Sequence, residues 1–159
     1  MRLIGVISDT HGLLRPEALA ALRGSELIIH AGDVGRAGTL EPLAEIAPVR
    51  AVRGNVDRGA WAKDLPEREI VEIEQHLIYV LHDVGELEFE PHAAGFHAVI
   101  CGHSHRPRIE TKAGVLYFNP GSAGPRRFDL PITVGELRIS GGKLQASIIE
   151  LGPVPTAGR

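Results

Sequence analysis

Nine residues able to ligate a metal or move a proton follow short apolar runs along this chain: Asp9 and His11, Asp33, Asn55 and Asp57, His82 and Asp83, His103 and His105. Each group lies just past a segment that reads as an inner strand. Ligands of open α/β sheets bind beyond the carboxyl ends of strands, where side chains from several strands converge on rigid supports. Taken singly, Asp-x-His reads as a solvated loop and Gly-Asp or Gly-Asn as a turn. The ordered set at successive strand tips is what points to one site. In Gly102-His103-Ser104-His105, two imidazoles one residue apart reach into one cleft from the same turn, and Gly102 lets the backbone come close.

Carboxylates, imidazoles and one amide oxygen, without thiolate, suit manganese, iron, nickel or zinc better than calcium or magnesium. Two ions about 3.5 to 4 Å apart need a bridging ligand, and Asp33 is expected to be that carboxylate. His30, His76, His92 and His97 have no partners in the pattern and read as core or surface residues. Cys101, the only cysteine, ends the apolar run from Ala98 and reads as a small buried hydrophobe.

The elements that must position these residues follow from periodicity. Leu3 to Ile7 is a short strand buried on both faces. Pro16 opens a helix carrying Ala18, Leu19 and Leu22 at helical spacing, and Gly24 stops it. Strand 26–30, helix 39–46 and strand 49–53 follow, and this alternation implies a parallel sheet. From residue 67 the pattern becomes period-two, with hairpins at 67–81, 109–118 and 133–151 around a central strand at 96–101, so the second half reads as mainly antiparallel.

At 159 residues and 43% hydrophobic content, the chain is expected to form one domain over residues 1–152, with a frayed tail at 153–159. The N-terminus has no signal-peptide core and no apolar run approaches a membrane span, so a cytoplasmic location without membrane partners is expected. A formal net charge of −3 and an aromatic share of 4% disfavour long nucleic-acid substrates. Any anionic substrate must be held locally, and a homo-oligomer is left open.

In order, Asp9-Thr10-His11, Gly32-Asp33, Gly54-Asn55-Val56-Asp57, His82 and Gly102-His103-Ser104-His105 resemble the signature of the calcineurin-like metallophosphoesterases. The small size and Asn119-Pro120-Gly121-Ser122 are similar to the YfcE-type phosphodiesterases, a branch that includes the retromer subunit Vps29. The resemblance implies a four-layer α-β-β-α sandwich, two mixed central β-sheets flanked by helices. It implies two divalent transition-metal ions, manganese first, with nickel, iron or zinc as alternatives. One would lie among Asp9, His11, Asp33 and His105, the other among Asp33, Asn55, His82 and His103.

The implied reaction is in-line attack of a metal-bound hydroxide on a small or activated phosphodiester, with Asp33, Asn55 and His103 as catalytic residues. Asn55 and Arg126 are the residues expected to touch the substrate; two solvated loop arginines, Arg126 and Arg127, are the plainer reading of that pair. Relatives with strong monoesterase activity carry a histidine after the motif asparagine; Val56 stands there, which favours diesters with good leaving groups. Asp83-Val84 replaces a common Gly-His, and Asp83 either orients a ligand or caps its turn. Asp57 either stabilises its own turn or braces the Asn55 loop or His103. The rival readings are a Vps29-type interaction scaffold and a nuclease or cyclic-nucleotide phosphodiesterase.

Overall fold

The computed structural model describes residues 1–151, so the tail expected from residue 153 lies outside the described residues. In chain order the elements are β1 (Arg2–Ile7), α1 (Pro16–Leu22), β2 (Leu27–His30), α2 (Glu41–Ala44), β3 (Val49–Ala51), β4 (Arg68–Ile73), β5 (His76–Leu81), β6 (Ala98–Ile100), β7 (Arg108–Lys112), β8 (Val115–Asn119), β9 (Thr133–Ser140) and β10 (Lys143–Glu150). They form two five-stranded sheets, β10-β9-β1-β2-β3 and β4-β5-β6-β8-β7. The two mixed sheets expected from the family resemblance are present.

Alternation along each strand divides the core. Ile4 and Val6 of β1 face inward, where they meet Ile78 and Val80 of β5, Ala98 and Ile100 of β6, and Phe118 of β8 between the sheets. The opposite face of β1 presents Gly5 and Ile7 to the helical layer, where Ile7 packs with Ala18, Leu22, Ile28 and Leu43. A Cβ on Gly5 would stand 2.6 Å from Leu22 Cδ2, so glycine there sets how closely α1 approaches. Pro16 opens α1 as expected. The second helix is shorter than the 39–46 expected: Glu41–Ala44 alone is α-helical, and the extended conformation favoured before Pro48 helps to end it.

The second half pairs mainly antiparallel, as expected, except at the centre of its sheet. β5, β6 and β8 run parallel, and the antiparallel partners β4 and β7 occupy the edges. Period-two patterning reveals a hairpin, where pairing is local, but not the neighbour that a strand finds through a crossover. All three expected hairpins turn on two residues with positive φ, Glu74-Gln75, Ala113-Gly114 and Gly141-Gly142, the geometry that matches strand twist. The outer layer over the second sheet is thin. A 3-10 turn at Val84–Glu86 and a loop bearing Phe89 and Phe96 cover Tyr79, with ring centroids 4.9 and 5.2 Å from it. Among the described residues no helix is long and apolar enough to cross a membrane.

Candidate metal centre

β1, β2, β5 and β6 end side by side, and their tips carry the titratable cluster. Asp9 is fully buried. Its Oδ2 accepts hydrogen bonds from Ser8 Oγ at 2.7 Å and the His103 amide at 3.1 Å. That leaves Oδ1 without a hydrogen-bond partner, facing the Nε2 atoms of His105 at 3.4 Å, His82 at 3.8 Å and His11 at 3.9 Å. Asp33 Oδ2 lies 3.2 Å from His82 Nε2 and 3.6 Å from His11 Nε2, while the Val56 amide donates to its Oδ1 at 3.0 Å.

The four imidazoles lie in two close pairs. His11 lies 5.3 Å from His105 and His82 lies 5.2 Å from His103, ring centre to ring centre. His82 Nδ1 contacts the Ala31 carbonyl at 2.8 Å; donating there keeps the proton on Nδ1, so that in the neutral ring Nε2 is the lone-pair donor. His103 and Asn55 meet each other, Nδ1 to Oδ1 at 3.2 Å, on the exposed rim.

The backbone is strained where the donors converge. Asp9, His11, Asp33, His103 and His105 all have positive φ, between 49° and 75°, a region that side chains other than glycine rarely adopt. Close approach does the rest: a Cβ on Gly102 would stand 2.6 Å from Asp9 Oδ2, so only glycine lets the histidine loop lie against the β1 tip.

Three buried donor atoms in this space, Asp9 Oδ1, His11 Nε2 and His82 Nε2, have no hydrogen-bond partner, and neither has Nδ1 of His105. Buried polar atoms without partners are costly, and an ion satisfies them. Ligating atoms of Asp9, His11 and His105, and of Asp9, Asp33 and His82, gather within 4.8 Å of one another, a fit for divalent metal. Residues 1–142 match the model of the calcineurin-like phosphoesterase superfamily domain. The chain belongs to that superfamily.

A probable metallophosphoesterase of Methanothermobacter thermautotrophicus is 39% identical, the match covering 94% of this chain and 93% of the relative. A structure described as a novel archaeal phosphodiesterase is 25% identical with a TM-score of 0.76, over 92% of this chain and 99% of that one. Chaetomium thermophilum Vps29 shares the fold at 19% identity and a TM-score of 0.76, over 95% and 97% of the chains.

In this calcineurin-like phosphoesterase, burial and charge set the ionisation of the centre. Burial pushes the Asp9 carboxyl up and His105 down. At Asp33 burial also opposes charge, but His82 and the Val56 amide outweigh it and hold the carboxyl down to about 2. Burial works against a charged His82 ring too, yet Asp33 and Asp9 beside it raise it to about 8. Cys101 packs in the outer cluster of the second sheet, its thiol pushed up to about 12 by burial, and it stands apart from this chemistry as expected.

The supporting residues complete the phosphoesterase site, and several were not singled out from sequence. Asp57 accepts from the amides of Gly54 at 2.8 Å, Val34 at 3.1 Å and Gly35 at 2.9 Å, tying the Asn55 loop to the Asp33 loop. Of the roles open to it, this is bracing of the Asn55 loop; it does not bond His103. Asp83 caps its turn through the Gly85 amide, and its carboxylate stands 3.8 Å from His103 Nε2, too far for a hydrogen bond.

His30, read from sequence as a core or surface residue, is buried and spans two loops. Its Nδ1 accepts from the Gly32 amide at 3.1 Å, so Nε2 carries the proton and donates to Thr10 Oγ1 at 3.0 Å. Thr10 in turn donates to the Val34 carbonyl. Its position at the end of β2, two residues before Gly32-Asp33, was the available signal. Asn119 donates to the Gly102 carbonyl at 2.9 Å and Ser122 to the Asp9 carbonyl at 3.0 Å, so Asn119-Pro120-Gly121-Ser122 fastens both ligand loops.

Arg126 is exposed and makes no hydrogen bond or ion pair among the described residues, whereas the charge of Arg127 reaches His105. A cavity of about 240 Å³ opens beside Asn55, His82 and His103, and Arg53 and Arg68 line it. Each arginine lies near an exposed glutamate, Arg53 3.1 Å from Glu67 and Arg68 4.0 Å from Glu86.

Proposed function

We propose that this protein hydrolyses phosphodiesters with a pair of divalent metal ions. The observation that carries the reading is the convergence of ligating atoms of Asp9, His11 and His105, and of Asp9, Asp33 and His82, within 4.8 Å of one another at adjoining strand tips. Asp9, His11, Asp33 and His105 would hold one ion. Asp33, Asn55, His82 and His103 would hold the other, and manganese is the first candidate for both. Asp33 would serve both ions, since its Oδ2 lies within 3.6 Å of one imidazole from each group. When bound, the ions supply Lewis acidity, acidifying water and offsetting the charge that develops on phosphoryl oxygens.

The chain's own residues orient the donors and shape access. The Ala31 carbonyl keeps the His82 proton on Nδ1, and Asp57 and His30 hold the loops that aim Asp33 and Asp9. Asn55 and His103, on the exposed rim of the cavity they line with Arg53 and Arg68, meet the incoming phosphoryl group. The side chain after Asn55 is Val56, which is half-exposed and has no proton to give a leaving group. That favours diesters whose leaving groups depart without protonation.

Metal-stripped protein is expected to regain cleavage of bis(4-nitrophenyl) phosphate on addition of manganese, with the monoester cleaved more slowly. Asp33→Asn should lose at least about a hundredfold in kcat/KM. If no divalent metal restores turnover and calorimetry shows no tight metal binding, the reading fails, and the shared fold with Vps29 directs attention to protein partners.

A further inference from the structure

A second cavity, of about 140 Å³, lies on the far side of His103 and Asp83, the two side chains that also line the larger one. Its inner wall is built from Val84, buried Cys101 and the ring of Tyr117. Its outer rim carries Arg108 and Lys112 on β7. Lys112 Nζ sits 4.7 Å over the Tyr117 ring, so one wall already holds a cation against an aromatic face. Arg108 pairs with Glu110, opposite Tyr117 in the β7–β8 register. The thiol of Cys101 is protonated and inert here, so it offers surface and no reactivity.

Size and chemistry narrow the occupant. An apolar cavity of about 150 Å³ accepts a benzene-sized ring, and this cavity is of that size. Arg108 is paired with Glu110 and Asp83 lines the shared wall, so Lys112, which makes no ion pair among the described residues, is the cation left to meet an anionic group on that ring. The larger cavity is lined by two arginines facing Glu67, Asp83 and Glu86, and is the more polar of the two. A phosphodiester has two arms, and His103 stands between two cavities.

We infer that the smaller cavity receives one ester arm of the substrate, a single aromatic ring carrying an anionic group, while the phosphoryl group lies at Asn55 and His103. This rests on the phosphodiesterase reading above and narrows its substrate class. Val84 and Tyr117 wall the ring, and Lys112, held at the Tyr117 face, reaches its charged substituent.

The test separates ring binding from hydrolysis. Benzoate is titrated into metal-free protein and followed by amide chemical shifts. Shifts are expected at Cys101 and Tyr117, to be lost in Val84→Phe, which fills the cavity, and to need about threefold more benzoate in Lys112→Ala. In manganese-loaded protein, benzoate should compete with bis(4-nitrophenyl) phosphate and should compete about threefold more weakly in Lys112→Ala. Absence of shifts at those amides, or shifts that persist in Val84→Phe, overturns the pocket. Ring binding without competition overturns its role as an ester-arm site. If the unmodified protein hydrolyses no diester with any metal, the phosphodiesterase reading falls, and the ester-arm role with it.

Discussion

At the scale of single residues, His30 shows how a side chain outside the ligand set governs the site. Both its ring nitrogens are committed in the neutral form, Nδ1 to the Gly32 amide and Nε2 to Thr10. Burial, with the charge of His82 adding to it, lowers its pKa to about 3. The unfolded chain takes up a proton at this residue below about pH 6.5 and the folded one does not until about 3. Stability contributed by neutral His30 is therefore present above about pH 6.5 and lost as pH falls toward 3. His30→Gln should cost about 1 to 3 kcal/mol at pH 7 through unpaired buried groups. The difference between the two proteins in urea unfolding should narrow as pH falls from 6.5 to 4. A difference that stays constant over that range would show that the ring is not held neutral.

At the scale of elements, two glycines control two different contacts. Gly5 sets the distance between β1 and α1, and Gly102 the distance between the histidine loop and the β1 tip. Gly5→Ala should destabilise the fold by about 1 to 3 kcal/mol through overpacking against Leu22, with manganese affinity unchanged. Gly102→Ala should move the His103 to His105 loop away from Asp9 and weaken manganese binding at least about tenfold. Denaturation and metal titration on both variants check the contrast; equal losses of affinity would refute it. Sequence reading singled out Gly102, because it precedes two spaced histidines, but not Gly5, which reads as one more residue of an apolar strand. It did not reveal which atoms a side chain would strike, since the neighbours of Gly102, Ser8 and Asp9, lie more than ninety residues away in the chain.

At the scale of the whole molecule, two sheets brought face to face place a cluster of buried donors at one end, and metal should act on the fold as well as on catalysis. A ligand at a hundred times its Kd stabilises the native state by about 2.7 kcal/mol. For a chain of this size, manganese should therefore raise Tm by about 5 to 10 °C above the metal-stripped protein. Asp9→Asn should remove that rise. His82, raised to about 8 by Asp33 and Asp9 against the effect of burial, holds a proton that the metal must displace. Manganese affinity should thus climb with pH and level off above about 8, as measured by calorimetry across pH 6 to 9. An affinity flat over that range would mean that His82 is neutral before metal arrives.

What the sequence by itself determined was the inventory: which strand tips carry donors, where the three hairpins turn, and which family the ordered motifs resemble. These are local properties, written in residue type, in periods of two and 3.6, and in glycine placement. Tertiary structure decided the rest. It put β5, β6 and β8 in parallel, replaced an outer helical layer with a 3-10 turn and an aromatic loop, and gave His30, Asn119 and Ser122 their roles as struts. It also left Arg126 without a hydrogen bond or ion pair among the described residues and lined the neighbouring cavities with Arg53, Arg68, Arg108 and Lys112. The physical reason is the same in each case. Hydrogen-bond partners, crossover neighbours and cavity walls come from residues far apart in the chain, and only the packing of the two sheets brings them within reach.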